Sequence, residues 1–212
     1  KLTKSNIKMK NILLILSFII STVAVAQKHN IVNASIALRN ANKANGDEVG
    51  VLLLEAKEYI DEAFSSESTA NDPKMWNYRA PIYLQIALKK PELDNLAILK
   101  ATDAHIKCLQ KGKKDKIIVK KWTSKEDVLA GLVQCGYKLF NLAIDHYNKG
   151  DYKTSLDFYD KIFEIVPFDD EDQLKRGNIT KETILYNSFF SSNKLKDDTK
   201  SKELLQNLID IN

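Results

Sequence analysis

The sequence predicts an all-α fold of antiparallel helix pairs laid side by side, and three observations support this. Apolar residues recur at three- and four-residue intervals along most of the chain beyond residue 30. Seven glycines and four prolines in 212 residues leave few positions that break helices. Between Ala143 and Pro167, the residues Ala143, Gly150, Tyr152, Ser155, Tyr159, Ile162 and Pro167 fall at the intervals of one helix packing on the next. Small Ala143 admits a neighbouring helix, Gly150 closes the turn, and the two tyrosines fill the space between helices. Pro167 ends the second helix because its ring cannot continue the hydrogen-bond ladder.

The chain opens with an address. Met9, Lys10 and Asn11 precede the apolar run Ile12 to Val23, and Ala24-Val25-Ala26 supplies the small residues a signal peptidase reads. Residues 1–26 are therefore expected to be a presequence starting at Met9 and cut before Gln27, with 27–212 as one mature domain. The apolar stretch of 15 residues falls short of the roughly 20 needed to span a bilayer. Removing the presequence removes four lysines and no acid, leaving 28 basic side chains against 28 acidic ones. The mature chain is thus electrically balanced, which argues against nucleic-acid binding, as does its small stock of arginines, Arg39, Arg79 and Arg176.

Each helix can be placed in turn. Asn30 to Ala44 and Asp47 to Ser66 form a first pair about the turn Asn45-Gly46, with Asp47 as N-cap and Leu52, Leu53, Ala56, Tyr59, Ile60, Ala63 and Phe64 facing inward. Asp72-Pro73 is an N-cap followed by proline at the first helical position. The helix it starts carries Trp76, Ala80 and Tyr83, and Pro81 within it is expected to kink it. Its partner is expected from Pro91 or Glu92 to Gln110, presenting Leu96, Ala97, Ala101, Ala104 and Cys108, with Gly112 beyond its end. An insertion, Lys111 to Lys121, precedes a long helix from the capping-box sequence Thr123-Ser124-Lys125-Glu126 to Lys149. The return helix runs from Tyr152 to Val166. A final pair spans Thr180 to Ser192 and Asp197 to Asp210, with Leu204, Leu205, Leu208 and Ile209 on the apolar side of its second member.

The two best-defined units, Pro73 to Gln110 and Gly136 to Pro167, resemble the tetratricopeptide repeat, a helical hairpin whose arrays form a superhelical solenoid. Trp76, Ala80 and Tyr83 carry the resemblance in one unit and Ala143, Tyr152, Tyr159 and Pro167 in the other. The resemblance implies a binding scaffold without chemistry of its own, no enzyme activity and no cofactor. It further implies a concave groove made by the first helix of each pair, here Asn77, Tyr78, Pro81 and Leu84, then Tyr137, Phe140, Asn141, Ile144 and Asn148. Family members that grip a peptide carboxylate place a lysine and an asparagine where this chain has Asn77 and Pro81, so that mode does not carry over. The array also lacks a polar capping helix before Asn212, and further repeats are expected to follow.

Chemistry is sparse. His29, His105 and His146 are the only histidines, and His105 with Cys108 three residues later makes at most half of a metal site. Cys108 and Cys135 are expected as small core residues, with a disulfide between them the alternative in an oxidising compartment. Asp169-Asp170-Glu171-Asp172 lacks the glycine and distal glutamate of a calcium loop and reads as a charged lead-in to the last pair. Lys113, Lys114 and Lys116 head the most basic stretch, read as solvated loop or, alternatively, as a surface for an anionic partner. Taken together these residues predict an exported, periplasmic or extracellular Gram-negative protein that binds a protein or peptide. The alternatives are a cell-envelope glycan- or lipid-binding protein and the leading part of a larger exported protein.

Overall fold

The computed structural model describes residues 28–211. The expected signal segment and its cleavage point before Gln27 lie outside the described residues. Among those described, the fold is all-α, with nine helices and no strand. They are α1 (28–41), α2 (Glu48–Ser65), α3 (Pro73–Lys89), α4 (Ala97–Cys108), α5 (Lys125–Asn148), α6 (Tyr152–Ile165), α7 (Gln173–Arg176), α8 (Lys181–Lys194) and α9 (Asp198–Ile209).

Short polar side chains start most of these helices by accepting a backbone N–H that the helix itself cannot satisfy. Asp72 accepts from Lys74 at 2.8 Å, Thr180 from Thr183 at 3.1 Å and Asp197 from Lys200 at 2.9 Å. At α5 the cap is Ser124, one residue later than the capping box predicts, and it accepts from Asp127 at 3.0 Å. Asp47 stands at the start of α2 but makes no side-chain cap bond. The α1–α2 and α5–α6 turns pass through Gly46 (φ +62°) and Gly150 (φ +80°), a backbone region that penalises any Cβ. α3 continues through Pro81 to Lys89.

Three expectations need correction. α4 begins at Ala97, because Pro91–Leu93 forms a short 3-10 turn and Asp94 then accepts the Leu96 N–H (2.9 Å) and the Lys100 ammonium (2.6 Å). Leu96 therefore stands before the helix, 50% exposed, and not in its apolar stripe. On α9 only Ser201 and Leu204 are buried, while Leu205 and Ile209 face outward. The acidic run 169–172 introduces the unforeseen single turn α7, whose first N–H groups at Gln173 (2.8 Å) and Leu174 (2.9 Å) are held by the Asp169 carboxylate.

Helices pack in chain order. α3 lies on α4, α5 on α6 and α8 on α9, while α2 meets α3, α4 meets α5 and α6 meets α8. The Asn30 amide bonds Glu62 at 2.7 Å, which sets the start of α1 beside the end of α2. One continuous core runs through the layers, with Ala80, Tyr83, Ala143, Tyr159 and Ile162 all buried. The α2–α3 seam is polar at one point: buried Arg79 donates to Asp61 (2.6 Å), Tyr83 donates to the same carboxylate (2.6 Å), and the guanidinium stacks 4.1 Å from the Phe64 ring. The α6–α8–α9 seam is knit by hydroxyls instead, Ser155 to Ser191 at 3.0 Å and Ser192 to Ser201 at 2.8 Å. Cys108 and Cys135 are free thiols buried in the core, which disposes of the disulfide alternative.

Candidate functional site

Two cavities open on either side of α5. The larger, about 450 Å³, lies between α5 and α8 and is lined by Ile144, Tyr147, Tyr159, Tyr186, Asn187 and Phe190. Its size falls within the range of small-ligand or side-chain pockets. No charged side chain lines it. Buried Tyr159 forms its floor, with Phe140 packed edge-to-face against it at 5.9 Å between centroids. Burial pushes the Tyr159 hydroxyl up to about 12, so it stays a neutral donor at physiological pH. Tyr186 is 56% exposed on the rim and stacks edge-on with Phe190 at 4.8 Å, while Tyr147 meets Tyr152 at 5.2 Å. Rings locked against one another in this way present a preset apolar surface with hydroxyls and one amide at its margin.

The smaller cavity, about 180 Å³, lies where α3, α4 and α5 meet and is lined by Asn77, Ala80, Pro81, His105, Cys108, Thr123, Asp127 and Val128. His105 is 4% exposed and its Nδ1 donates to the Ala101 carbonyl at 2.8 Å. Burial lowers the pKa of this imidazole to about 4, outweighing the opposing effect of the Ala101 bond. The folded protein therefore keeps His105 neutral where an unfolded chain, titrating near 6.5, takes up a proton. Its contribution to stability is complete above pH 6.5 and is lost as the pH falls towards 4, at up to about 1.4 kcal/mol per pH unit. Urea midpoints measured from pH 7 to 4.5 should decline more steeply for the native protein than for His105→Gln; parallel curves would refute a buried neutral imidazole.

The residues expected in the groove divide between these places. Ile144 lines the larger cavity and Phe140 supports its floor, while Asn77 and Pro81 line the smaller one. Asn141 and Asn148 are exposed on α5 and line neither. Two assignments are corrected. Leu84 is buried at 7% exposure, because α3 is flanked by α2, α4 and α5 and little of its circumference is left for a groove. Tyr78 is half-buried against the core and does not face outward. Tyr137 is 37% exposed but lines neither cavity; its hydroxyl donates to the Gln173 carbonyl at 2.6 Å, and a Cβ on Gly177 would lie 2.4 Å from its ring. Sequence reasoning missed Tyr147 and Tyr159 as lining residues and overlooked Tyr186, Asn187 and Phe190. The signal for the last three was an aromatic pair at i, i+4 with an amide beside it.

Of the basic loop, Lys114 and Lys116 are exposed on the turn 112–116, which is closed by the Gly112 N–H donating to the Lys116 carbonyl at 2.7 Å. Lys113 belongs to the same turn. Lys111 is engaged by Asp115 at 2.9 Å, which neutralises part of the charge locally. Among the described residues no group of three His, Cys, Asp or Glu side chains is placed to hold a metal ion, and no helix is long and apolar enough to cross a membrane. No family model, no curated protein and no solved structure matches this chain.

Proposed function

We propose that the helix pairs act as a short solenoid of the tetratricopeptide type, a non-enzymatic module that binds a peptide or an extended protein segment along α3, α5 and α8. The packing of successive pairs in chain order supports this reading, as does the direct contact of α3 with α5. The observation that carries it is the neutral aromatic cavity between α5 and α8, where Ile144, Tyr147, Tyr186 and Phe190 stand ready to take a bulky apolar side chain. The amide of Asn187 supplies a polar group that both donates and accepts, as a peptide backbone does. Export to the periplasm or beyond is proposed on residues 9–26 alone.

Selection of a random peptide library on the purified protein tests the reading. Binders carrying bulky apolar residues are expected, and Tyr186→Ala or Phe190→Ala should weaken them about tenfold or more, as for an aromatic at the centre of an interface. Undiminished affinity in both variants would place the peptide elsewhere. Exposed Tyr186 next to the Asn187 amide also favours a second reading, a sugar stacked on the ring. Retention on cell-wall glycan that Tyr186→Ala abolishes, with no peptide selected, would replace the first reading by that one.

A further inference from the structure

Charge is unevenly placed along this chain. Residues 27–212 carry 28 basic and 28 acidic side chains, yet six of the lysines and only one of the acids fall between positions 111 and 121. That stretch joins α4 to α5, and it is a folded unit. Gly112 donates to the Lys116 carbonyl at 2.7 Å and Ile118 to that of Gln110 at 2.9 Å, which pairs the two arms of a short hairpin. Beyond the hairpin Val119 is fully buried, and its carbonyl accepts from Trp122 at 2.8 Å and from Thr123 at 3.2 Å. Half-buried Ile117 and Ile118 pack on the same core.

The apolar root fixes this loop while its lysines face solvent. Lys114, Lys116, Lys120 and Lys121 are exposed, and among the described residues none of the four enters an ion pair. Lys111 is neutralised by Asp115 at 2.9 Å. Trp122 follows directly, 37% exposed, with the Lys121 ammonium 5.6 Å from its ring centroid. Like charges held close together on a fixed mount repel one another, and an external polyanion relieves that repulsion.

Three features choose among polyanions. The cations are all lysine, whose strongly hydrated point charge suits a diffuse sheet of negative charge better than the bidentate grip on single phosphates that arginine provides. An exposed tryptophan at the edge of the patch supplies an indole, the ring that settles where headgroups meet acyl chains. Because residues 27–212 balance overall, the rest of that chain is net acidic, so a planar anionic surface attracts this face and repels the others. We infer that the 111–122 hairpin docks the protein on the headgroup layer of an anionic lipid membrane, with Lys114, Lys116, Lys120 and Lys121 over the lipid phosphates and Trp122 at the interface. Each lysine so placed contributes about fivefold to partitioning. The docking is independent of the peptide binding proposed above.

The test mixes the full chain with vesicles whose acyl chains are brominated, made of phosphatidylcholine alone or of phosphatidylcholine and phosphatidylglycerol at three to one, and reads tryptophan emission. Trp122 should be quenched on the anionic vesicles only, and Trp122→Phe, which leaves Trp76 as the sole indole, should remove that quenching. Raising NaCl from about 0.05 to about 0.5 M should weaken binding about tenfold or more, because screening shortens the reach of the lysine charges. The triple variant Lys114→Gln, Lys116→Gln, Lys120→Gln should raise the lipid concentration for half-quenching about hundredfold. A second triple, Lys43→Gln, Lys181→Gln, Lys202→Gln, removes the same charge from exposed positions elsewhere and should raise it less than about threefold. Equal losses in the two triples, equal quenching on uncharged vesicles, or vesicle binding that leaves Trp122 unquenched would overturn the docking. Retention on immobilised polyglutamate by a protein that ignores the vesicles would overturn it as well and assign the loop to an acidic protein.

Discussion

Replacing Asp61 with alanine should lower the unfolding free energy by about 3 kcal/mol, because it strands the Arg79 guanidinium, 6% exposed, without its counter-charge. The carboxylate accepts from Arg79 at 2.6 Å and from Tyr83 at 2.6 Å, so its removal leaves a charge and a hydroxyl unsatisfied at the α2–α3 seam. Tyr83→Phe, which deletes one neutral donor and leaves the ion pair, should cost only about 1 kcal/mol. Burial alone would raise the Asp61 pKa; the bonds from Tyr83 and Arg79 and the charge of Arg79 outweigh it and hold the group below its ordinary 3.8. The sign of the pH effect follows from that depression: the pair stabilises fully above pH 3.8, and the stability disappears as acid protonates the folded carboxylate. Urea denaturation at pH 7 would decide the matter, since a loss below about 1 kcal/mol for Asp61→Ala would mean that Arg79 finds solvent or another partner.

Gly131→Ala is the second large effect, expected at about 3 kcal/mol, near the upper end of what one inserted methyl costs in a packed interior. A Cβ there would meet His105 Nε2 at 2.2 Å and Cδ2 at 2.8 Å. The ring cannot retreat cheaply, because its Nδ1 is tied to Ala101 on its own helix and the residue is buried among α4 and α5. Removing the ring should therefore relieve the clash. In the double variant Gly131→Ala with His105→Ala, the loss should be smaller than the two single losses added, by 1 kcal/mol or more on the scale of contacting pairs. Additive losses in a thermal or urea cycle would show that the two side chains do not compete for one space.

Much of the fold was legible because the signals are local. Asp72, Ser124, Asp151, Thr180 and Asp197 each bond a backbone N–H two or three residues on, so a polar residue before an apolar rhythm places a helix start within a residue or two. Ala80, Tyr83, Ala143 and Tyr159 were found by size, and burial of all four follows from that. What escaped depends on distant partners. Four residues of α7 are too few to show a period, and the segment is held by Asp169, by Leu174 against Gly136 and by Tyr137, none of which a periodicity count weighs. Leu84 was misplaced for a similar reason: a face can be read from one helix, but whether it stays open depends on how many neighbours surround it. The aromatic cavity was half legible, through Ile144 and Phe140. Its other wall belongs to α8, where the pattern was too weak for an inward face to be projected, although Tyr186, Asn187 and Phe190 were there to be read.

α5 is also a ruler. Its residues Asp127 and Val128 border one cavity and Ile144 and Tyr147 the other. Sixteen residues separate Val128 from Ile144, or about 24 Å along the helix axis at 1.5 Å per residue. An extended strand advances about 3.4 Å per residue, and the two stations face opposite sides of α5, so a chain engaging both must be longer than about seven residues. Anything shorter occupies one station at a time, and the avidity gained by linking the two sets in only beyond that length.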